Sequence, residues 1–213
     1  MLMNKDEAKV IFNILKQRFP KLVCELNFEN HYQLIVAVIL SAQCTDKRVN
    51  QVTPQLFAKY PNVENLANAD IEEIKDIIRS CGFFNNKSKN LISMAKDVVS
   101  IHDGKIPSDF ESLVALSGVG RKTANVVMSV GFGKNAIAVD THVFRVSNRL
   151  GITSKTPLEC EKKLQKLFDQ NDWTELHYML VLFGRYVCKA IKPDCKNCEL
   201  TKFCHFYQKN IKK

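Results

Sequence analysis

The sequence predicts an all-α protein. Apolar residues recur at spacings of three and four along most of the 213 residues, which is the period of an amphipathic helix. Residues that favour helix N-termini precede several of these stretches. No segment shows the two-residue alternation that is typical of a half-buried strand. We therefore expect helices joined by loops, and no sheet.

The amino-terminal part of the chain predicts three helical stretches. The first runs from about Asp6 to Phe19 and is stopped by Pro20. Asn30 and Gln33 have capping-box spacing and precede the apolar run YQLIVAVILSAQ, which we interpret as a buried helix because it contains no turn signal. In the third stretch, VNQVTPQLF, Pro54 predicts a break or a new first turn at Thr53–Pro54.

The next stretches follow the same pattern. Asp70 and Glu73 form a second capping-box pair, and the helix after them should close on Gly82, a residue suited to a helix C-terminus. Apolar residues then predict a helix through 91–99, which ends at the turn residues Asp103-Gly104.

Two short helices separated by SGVG are predicted next. Ser108 and Glu111 indicate the start of the first, DFESLVAL, and RKTANVVMSVGF forms the second. The remaining predicted helices span residues 141–150, 157–168 and 173–189.

Composition excludes several classes of protein. The chain is 46% hydrophobic and 25% charged, which is unlike a disordered chain. Its longest apolar run, Leu34–Leu40, has seven residues, whereas a transmembrane helix needs roughly 20. The N-terminus lacks a basic segment followed by a continuous apolar one, as a secretory signal would require. We expect a cytoplasmic protein without a membrane span, associated with the nucleoid if it is bacterial.

The charge is concentrated at the carboxy-terminal end. Lys and Arg number 31 against 22 Asp and Glu, for a formal net charge of +9. Residues 184–213 contain eight Lys/Arg and two Asp/Glu, so a net +6 lies in the last thirty residues. Such an excess favours a polyanionic partner.

Four of the eight cysteines lie in the same stretch, as Cys188-x6-Cys195-x2-Cys198-x5-Cys204. Four soft ligands at this spacing indicate an iron-sulfur cluster or zinc, and a cytosolic chain of this size disfavours disulfides. Structural zinc sites usually use two C-x(2–4)-C pairs. The single pair here therefore favours a [4Fe-4S] cluster.

Two lysines near the quartet and the four remaining cysteines have simpler interpretations. Lys192 and Lys196 lie within or just past the six-residue loop, where a cluster would stiffen the backbone for phosphate contacts, although either lysine could be a solvated surface charge. The remaining cysteines have no ligand spacing, and we expect them in the core or chemically inert. They are Cys24, Cys44, Cys81 and Cys160.

The segment LSGVGRKTAN predicts a helix-hairpin-helix. Gly118 and Gly120 allow the backbone to approach closely and to present free N–H groups, which form an anion site suited to a DNA phosphate. Arg121 would add charge to it. The alternative is an ordinary turn between two helices.

The hairpin also carries the residue best suited to covalent chemistry. Lys122 lies in the first turn of the second helix, where the helix dipole disfavours an ammonium ion and so favours an amine for Schiff-base chemistry. Asp140 precedes a helix, which indicates an N-cap, and could also take a proton from Lys122 and stabilise positive charge on a sugar. His142 fits a structural hydrogen bond better than catalysis.

Three motifs together, LSGVGRKTANVV, VDTHVFRV and the cysteine quartet, resemble the endonuclease III family of the helix-hairpin-helix base-excision DNA glycosylase superfamily. The resemblance implies a two-domain all-α fold with DNA in the cleft between the domains. A six-helix domain would span 22–134, with the hairpin at about 108–132. Residues 1–21 plus 135–213 would form the second, with an iron-sulfur cluster loop at 188–204. We expect a monomer.

The same resemblance implies roles for individual residues. Lys122 matches the family's nucleophile, and Asp140 matches its catalytic carboxylate. The four cysteines of the quartet match the ligands of a [4Fe-4S] cluster. Gln43 matches the residue that fills the gap left by a flipped base. Phe83 matches an apolar wedge that is leucine in the best-known members, with core packing as the alternative.

The implied activity is that of a DNA N-glycosylase and DNA-(apurinic or apyrimidinic site) lyase. It would remove oxidised pyrimidines from double-stranded DNA in base excision repair and would also act on abasic sites. Two alternatives stay open: a monofunctional mismatch glycosylase, disfavoured by Lys122, and a non-catalytic DNA-binding module that contains a metal.

Overall fold

A computed structural model of the chain describes residues 3–22 and 24–211. These residues form helices and contain no strand, so the all-α prediction is confirmed. The α-helices, in chain order, are α1 Lys5–Arg18, α2 His31–Ser41, α3 Asp46–Lys59, α4 Val63–Ala67, α5 Ile71–Ile78, α6 Phe84–Ile101, α7 Phe110–Ala115, α8 Arg121–Val126, α9 Thr141–Arg149, α10 Pro157–Leu167, α11 Trp173–Tyr186 and α12 His205–Asn210. A π-helical turn, Val127–Gly131, continues α8, and a short 3-10 turn, Gln170–Asp172, precedes α11.

The chain divides into two compact units. One comprises Cys24–Gly133 and contains α2 to α8. The other combines the described parts of Met1–Val23 and Lys134–Lys213, and contains α1 and α9 to α12. Two lysines of the basic carboxy-terminal stretch, Lys212 and Lys213, lie outside the described residues.

Helix α2 forms the centre of the Cys24–Gly133 unit. Every residue from Leu34 to Leu40 is buried, and α3, α6, α8 and the π-helical turn pack against the helix. A helix that is apolar on all sides is stable only when neighbours cover it completely. The interpretation of this run as a buried helix is therefore confirmed.

The other unit has a conventional core of amphipathic helices. α1 and α9 both pack against α11, and α10 and α12 both pack against α9. Each helix contributes one apolar face, as Ala8 and Leu15 do from α1 and Leu176 and Phe183 do from α11. One hydrophobic core consequently joins the amino-terminal helix to the carboxy-terminal helices.

Side-chain caps begin most helices, although not always as predicted. Asn4 and Glu7 form a complete capping box at α1. At α2, Asn30 accepts a hydrogen bond from the Gln33 amide, but the Gln33 side chain accepts one from the Glu29 amide instead of completing the box. At α7, Asp109 is the N-cap in place of the predicted Ser108.

The predicted break at Pro54 is wrong. Helix α3 runs continuously through this residue. Val52 and Leu56, on either side of the proline, are both buried. Burial of these apolar side chains offsets the cost of proline, which removes one backbone hydrogen bond and destabilises a helix interior by ~3 kcal/mol.

The predicted end of the helix after Asp70 is also wrong. Helix α5 stops at Ile78, before Gly82, and the residue with a left-handed backbone is Phe83, at φ 59°. Gly82 is needed for a different reason: a Cβ atom there would lie 3.1 Å from the Gln43 carbonyl oxygen. Neither α4 nor α12 was predicted, because segments of five and six residues carry little periodicity.

No helix among the described residues is both long enough and apolar enough to span a bilayer.

Leu91→Ala should destabilise the Cys24–Gly133 unit. Leu91 is fully buried on α6, and loss of its side chain leaves a cavity that costs about 2–5 kcal/mol. Chemical denaturation followed by circular dichroism measures the effect. Ile101→Ala is the matched control, because Ile101 lies on the same helix and is 68% exposed. Equal stability losses in the two variants would contradict the burial of Leu91 in this core.

Candidate functional site

The predicted hairpin is formed by α7 and α8, and Gly118 makes its turn possible. Its backbone has a φ of 78°, a conformation that residues with side chains rarely adopt. A Cβ atom at this position would lie 2.8 Å from the Cβ atom of Asn90 on α6. Both backbone conformation and space therefore require glycine here.

The N-terminus of α8 faces outward from this turn. Gly120 is the N-cap and has no side chain to accept hydrogen bonds from the first-turn N–H groups. A Cβ atom at Gly120 would meet nothing within 4 Å. The helix end therefore presents backbone N–H groups to a space that an anion can enter.

Arg121 and Lys122 are the first two residues of α8, and both are exposed. The Arg121 guanidinium lies over the Phe110 ring, 4.6 Å from its centre. This contact holds the arginine between the two helices of the hairpin. Lys122 thus combines an accessible amine with an adjacent fixed cation and a helix N-terminus.

Asp140 is the N-cap of α9, as predicted. Its Oδ1 accepts a hydrogen bond of 2.8 Å from the Val143 amide. The residue is half-buried and belongs to the unit that contains α1, whereas Lys122 belongs to the other unit. The N-cap bond orients the carboxylate at the end of a buried segment.

His142 has a structural environment. Its Nδ1 lies 3.1 Å from the Arg145 guanidinium, and that arginine also donates to the Gly184 carbonyl oxygen at 2.8 Å. These contacts connect α9 to α11, in agreement with the structural interpretation of His142.

Gln43 and Phe83 lie in two loops of the Cys24–Gly133 unit that touch each other. Both side chains are exposed, and both backbones are left-handed, at φ 52° and 59°. The two loops meet where the backbone at Gly82 comes close to the Gln43 carbonyl oxygen. Left-handed conformations cost energy outside glycine and cluster at functional sites. Phe83 is 63% exposed, so it does not pack in the core.

The four carboxy-terminal cysteines surround one cavity of about 20 Å³. The cavity is otherwise lined mainly by apolar side chains, including Leu150, Phe183 and Leu200. Burial raises the pKa of Cys195, Cys198 and Cys204, and the neighbouring cysteines raise each of them further. A cationic group among these cysteines would counter the effect of burial and favour thiolates.

Hydrogen bonds to sulfur support the same conclusion. Arg149 donates to Cys188 Sγ at 3.3 Å, and the Tyr207 amide donates to Cys204 Sγ at 3.4 Å. Donors of this kind stabilise the sulfur ligands of iron-sulfur clusters. Within residues 3–22 and 24–211, no three His, Cys, Asp or Glu side chains already stand in the arrangement of a metal-ion site. The residues suit a cluster by the chemistry of their four thiols, which line the same cavity.

Lys192 and Lys196 are exposed in the segment between these cysteines. Lys192 has a left-handed backbone, with φ at 50°. Of the seven residues expected to contact DNA, four have positive φ values. They are Gln43, Phe83, Gly118 and Lys192.

Two notable residues were not predicted. Arg149 binds the Lys189 and Ala190 carbonyl oxygens as well as Cys188. Lys87, at the start of α6, is only 5% exposed and donates a 2.7 Å hydrogen bond to the Leu40 carbonyl oxygen at the end of α2. Neither has a sequence signal, because arginine near a helix end and lysine on an amphipathic helix are both common.

Comparison with known proteins gives a consistent result. Residues 36–170 match the family model described as HhH-GPD superfamily base excision DNA repair protein. Endonuclease III of Synechocystis sp. (strain PCC 6803) is 47% identical over 96% of this chain and 94% of its own length.

Two solved structures are similar over nearly the whole chain. A non-covalent endonuclease III–DNA complex is 41% identical, with full coverage of both chains and a TM-score of 0.95. A trapped endonuclease III–DNA covalent intermediate, an estranged-adenine complex, is 42% identical, covers 98% of this chain and 99% of its own, and has a TM-score of 0.94. The chain belongs to the endonuclease III family of the HhH-GPD superfamily of base excision DNA repair proteins.

Proposed function

We propose that Lys122 and Asp140 are the catalytic residues of a bifunctional DNA glycosylase and abasic-site lyase that removes oxidised pyrimidines from duplex DNA. The enzyme class follows from the family. The observation that carries the residue assignment is the exposed amine of Lys122 beside an uncapped helix N-terminus. A relative of 42% identity has been trapped as a covalent intermediate on DNA, which requires a nucleophile of this kind.

The hairpin would bind the DNA backbone on the abasic or damaged strand. The N–H groups at the start of α8 and the Arg121 guanidinium suit a phosphate, and Gly120 leaves them accessible. Such contacts carry no sequence information and hold the DNA in register. They would therefore position Lys122 without limiting the enzyme to one sequence.

In the first chemical step, the bond between C1′ and the damaged base would be replaced by a bond between C1′ and the enzyme. Asp140, as a carboxylate, would stabilise the positive charge that develops on the sugar as the C1′–N bond breaks. The lysine amine forms the new bond to C1′, and the base leaves with a proton. The products are a free base and a Schiff base between Lys122 and the opened sugar.

The second step would cut the strand. The protonated Schiff base makes the C2′ proton acidic, and its removal is followed by cleavage of the C3′–O bond with the phosphate as leaving group. Water then hydrolyses the Schiff base and releases Lys122. On an abasic site, the same series of steps begins at Schiff-base formation. The lyase reaction therefore does not require removal of a base.

Gln43 and Phe83 would maintain the duplex while the damaged nucleotide is outside the stack. Both side chains are exposed on adjoining loops, one polar and one aromatic. An amide can hydrogen-bond to an unpaired base, and a phenyl ring can insert between base steps. A damaged base is easier to unstack than an intact one, which contributes to selection of the lesion.

Cys188, Cys195, Cys198 and Cys204 would hold a [4Fe-4S] cluster. These cysteines, with the cluster bound, would hold the segment that carries Lys192 and Lys196 in one conformation, without an obligatory redox step in turnover. The exposure of both lysines supports a role in phosphate binding. Because the substrate is DNA, we expect the protein in the cytoplasm, at the nucleoid if its source is bacterial.

Lys122→Ala should abolish covalent trapping. With borohydride present, the native protein is expected to become irreversibly linked to a duplex that carries an abasic site or thymine glycol, because reduction fixes the Schiff base. Denaturing gel electrophoresis detects the adduct. Lys96→Ala, at an exposed lysine of α6, is the matched control and should trap normally. Trapping that survives in Lys122→Ala would rule out this lysine as the nucleophile.

Cys198→Ser should remove or destabilise the cluster. The purified variant is expected to lose visible absorbance and bound iron, and to unfold at a lower temperature, because a ligand of the buried cavity is lost. Cys160→Ser is a suitable control, since Cys160 is buried in the same unit but outside that cavity. Full iron content in Cys198→Ser would refute the ligand assignment.

Lys192→Ala should weaken DNA binding equally for all sequences and reduce the slope of log K against log salt by about one. The physical reason is the loss of one phosphate contact and its released counterion. Fluorescence anisotropy at several salt concentrations measures the slope. Lys162→Ala, at an exposed lysine of α10, should leave it unchanged. A slope equal to that of the native protein would argue against the contact.

A further inference from the structure

Two cysteines that lie outside the iron-sulfur quartet sit at the base of the Gln43 and Phe83 loops. Cys44 directly follows Gln43, and Cys81 directly precedes Gly82. The backbones of the two loops touch, because a Cβ atom at Gly82 would lie 3.1 Å from the Gln43 carbonyl oxygen. The chain therefore brings the two cysteines together from segments nearly forty residues apart.

The Cys44 side chain affects the acidity of the Cys81 thiol. Burial raises the pKa of Cys81 to about 11, and the next causes are a hydrogen bond with the Cys44 side chain and the charge of that side chain. Both cysteines are free thiols in this structure. Cys160 differs: burial raises its pKa, the neighbouring Ser154 and Ser147 lower it, and no second thiol is among the causes.

A buried cation lies beside the pair. Lys87 is 5% exposed, and its Nζ donates to the Leu40 carbonyl oxygen at 2.7 Å. Both thiols act on this ammonium, since Cys44 and Cys81 oppose the lowering of its pKa by burial. Lys87 and Arg48 in turn lower the pKa of Cys81. A thiolate formed at this position would therefore have nearby positive charge to stabilise it.

We propose that Cys44 and Cys81 are a redox-sensitive dithiol, which exchanges with a small-molecule disulfide to form an intramolecular disulfide between the two loops. The Cys44 thiolate attacks one sulfur of glutathione disulfide and releases one glutathione thiolate. The Cys81 thiolate then attacks Cys44 Sγ and releases the second. The protein loses two electrons and two protons, and glutathione disulfide is reduced to two thiols.

Accessibility determines the order of attack. Cys44 is half-buried and can meet a small disulfide, whereas Cys81 is 1% exposed and acts from within. Once Cys44 is in a mixed disulfide, it no longer raises the pKa of Cys81 by charge, while Lys87 and Arg48 still lower it. Cys81 therefore ionises more readily after Cys44 has reacted than before, and this favours the second step.

The disulfide would tether the two loops that bear the residues assigned to the gap and the wedge. This consequence rests on the proposed function. Gln43 and Phe83 have strained, left-handed backbones, and a covalent link at their base removes the freedom to rearrange when DNA enters. Base removal by the oxidised protein should therefore be slower, by roughly tenfold.

The test uses the purified protein with its cluster, equilibrated in mixtures of reduced and oxidised glutathione and checked for intact visible absorbance. Free thiols are alkylated, and the peptides are mapped by mass spectrometry. We expect a Cys44–Cys81 linked peptide in the native protein and none in Cys44→Ser. Cys160→Ser is the control and should form the link normally. Absence of the linked peptide under oxidising conditions would overturn the proposal.

A second measurement separates the disulfide from the catalytic assignment. Single-turnover base removal from a thymine glycol duplex is compared before and after oxidation. The native protein should slow roughly tenfold and recover with dithiothreitol, while Cys44→Ser should not respond. A linked peptide without any change in rate would overturn the effect on activity. An inactive reduced protein would instead count against the proposed function. The peptide map would still show whether the Cys44–Cys81 disulfide forms.

Discussion

The complete burial of helix α2 is the constraint on which the Cys24–Gly133 unit depends. From Leu34 to Leu40 no residue can face water, and each large apolar side chain contributes ~1.5–3 kcal/mol when buried. Helices α3, α6 and α8 must therefore cover different sides of α2. Covering the helix in this way also determines where it can end, and the residue after its C-terminal turn is Gln43.

Lys87 illustrates how this core supports the surface above it. An ammonium group in a nearly closed environment is costly unless it is paired, and its partner here is a carbonyl oxygen in the last turn of α2. The bond joins the end of α2 to the beginning of α6, next to Phe83. Two loops with strained backbones are thereby attached to a rigid centre, which is the arrangement expected of side chains that must insert into DNA.

The unit that contains α1 and α9 to α12 is stabilised in a different way, because its carboxy-terminal segment has few apolar residues of its own. Arg149 of α9 binds two carbonyl oxygens and one cysteine sulfur of that segment. The Arg149 guanidinium also lies 4.5 Å from the centre of the Phe206 ring on α12. A single arginine thus connects a core helix to both ends of the cysteine-rich stretch, which leaves lysines free to face solvent.

The local sequence determined most of the helices, some of their caps, the glycine hairpin and the residue types needed for Schiff-base and cluster chemistry, because periodicity, capping and ligand spacing are short-range properties. Only the tertiary structure decided the continuity of α3 through Pro54, the left-handed Phe83 in place of Gly82, the burial of Lys87 and the meeting of Cys44 with Cys81. Each of these depends on contacts between segments distant along the chain, where packing outweighs local preference.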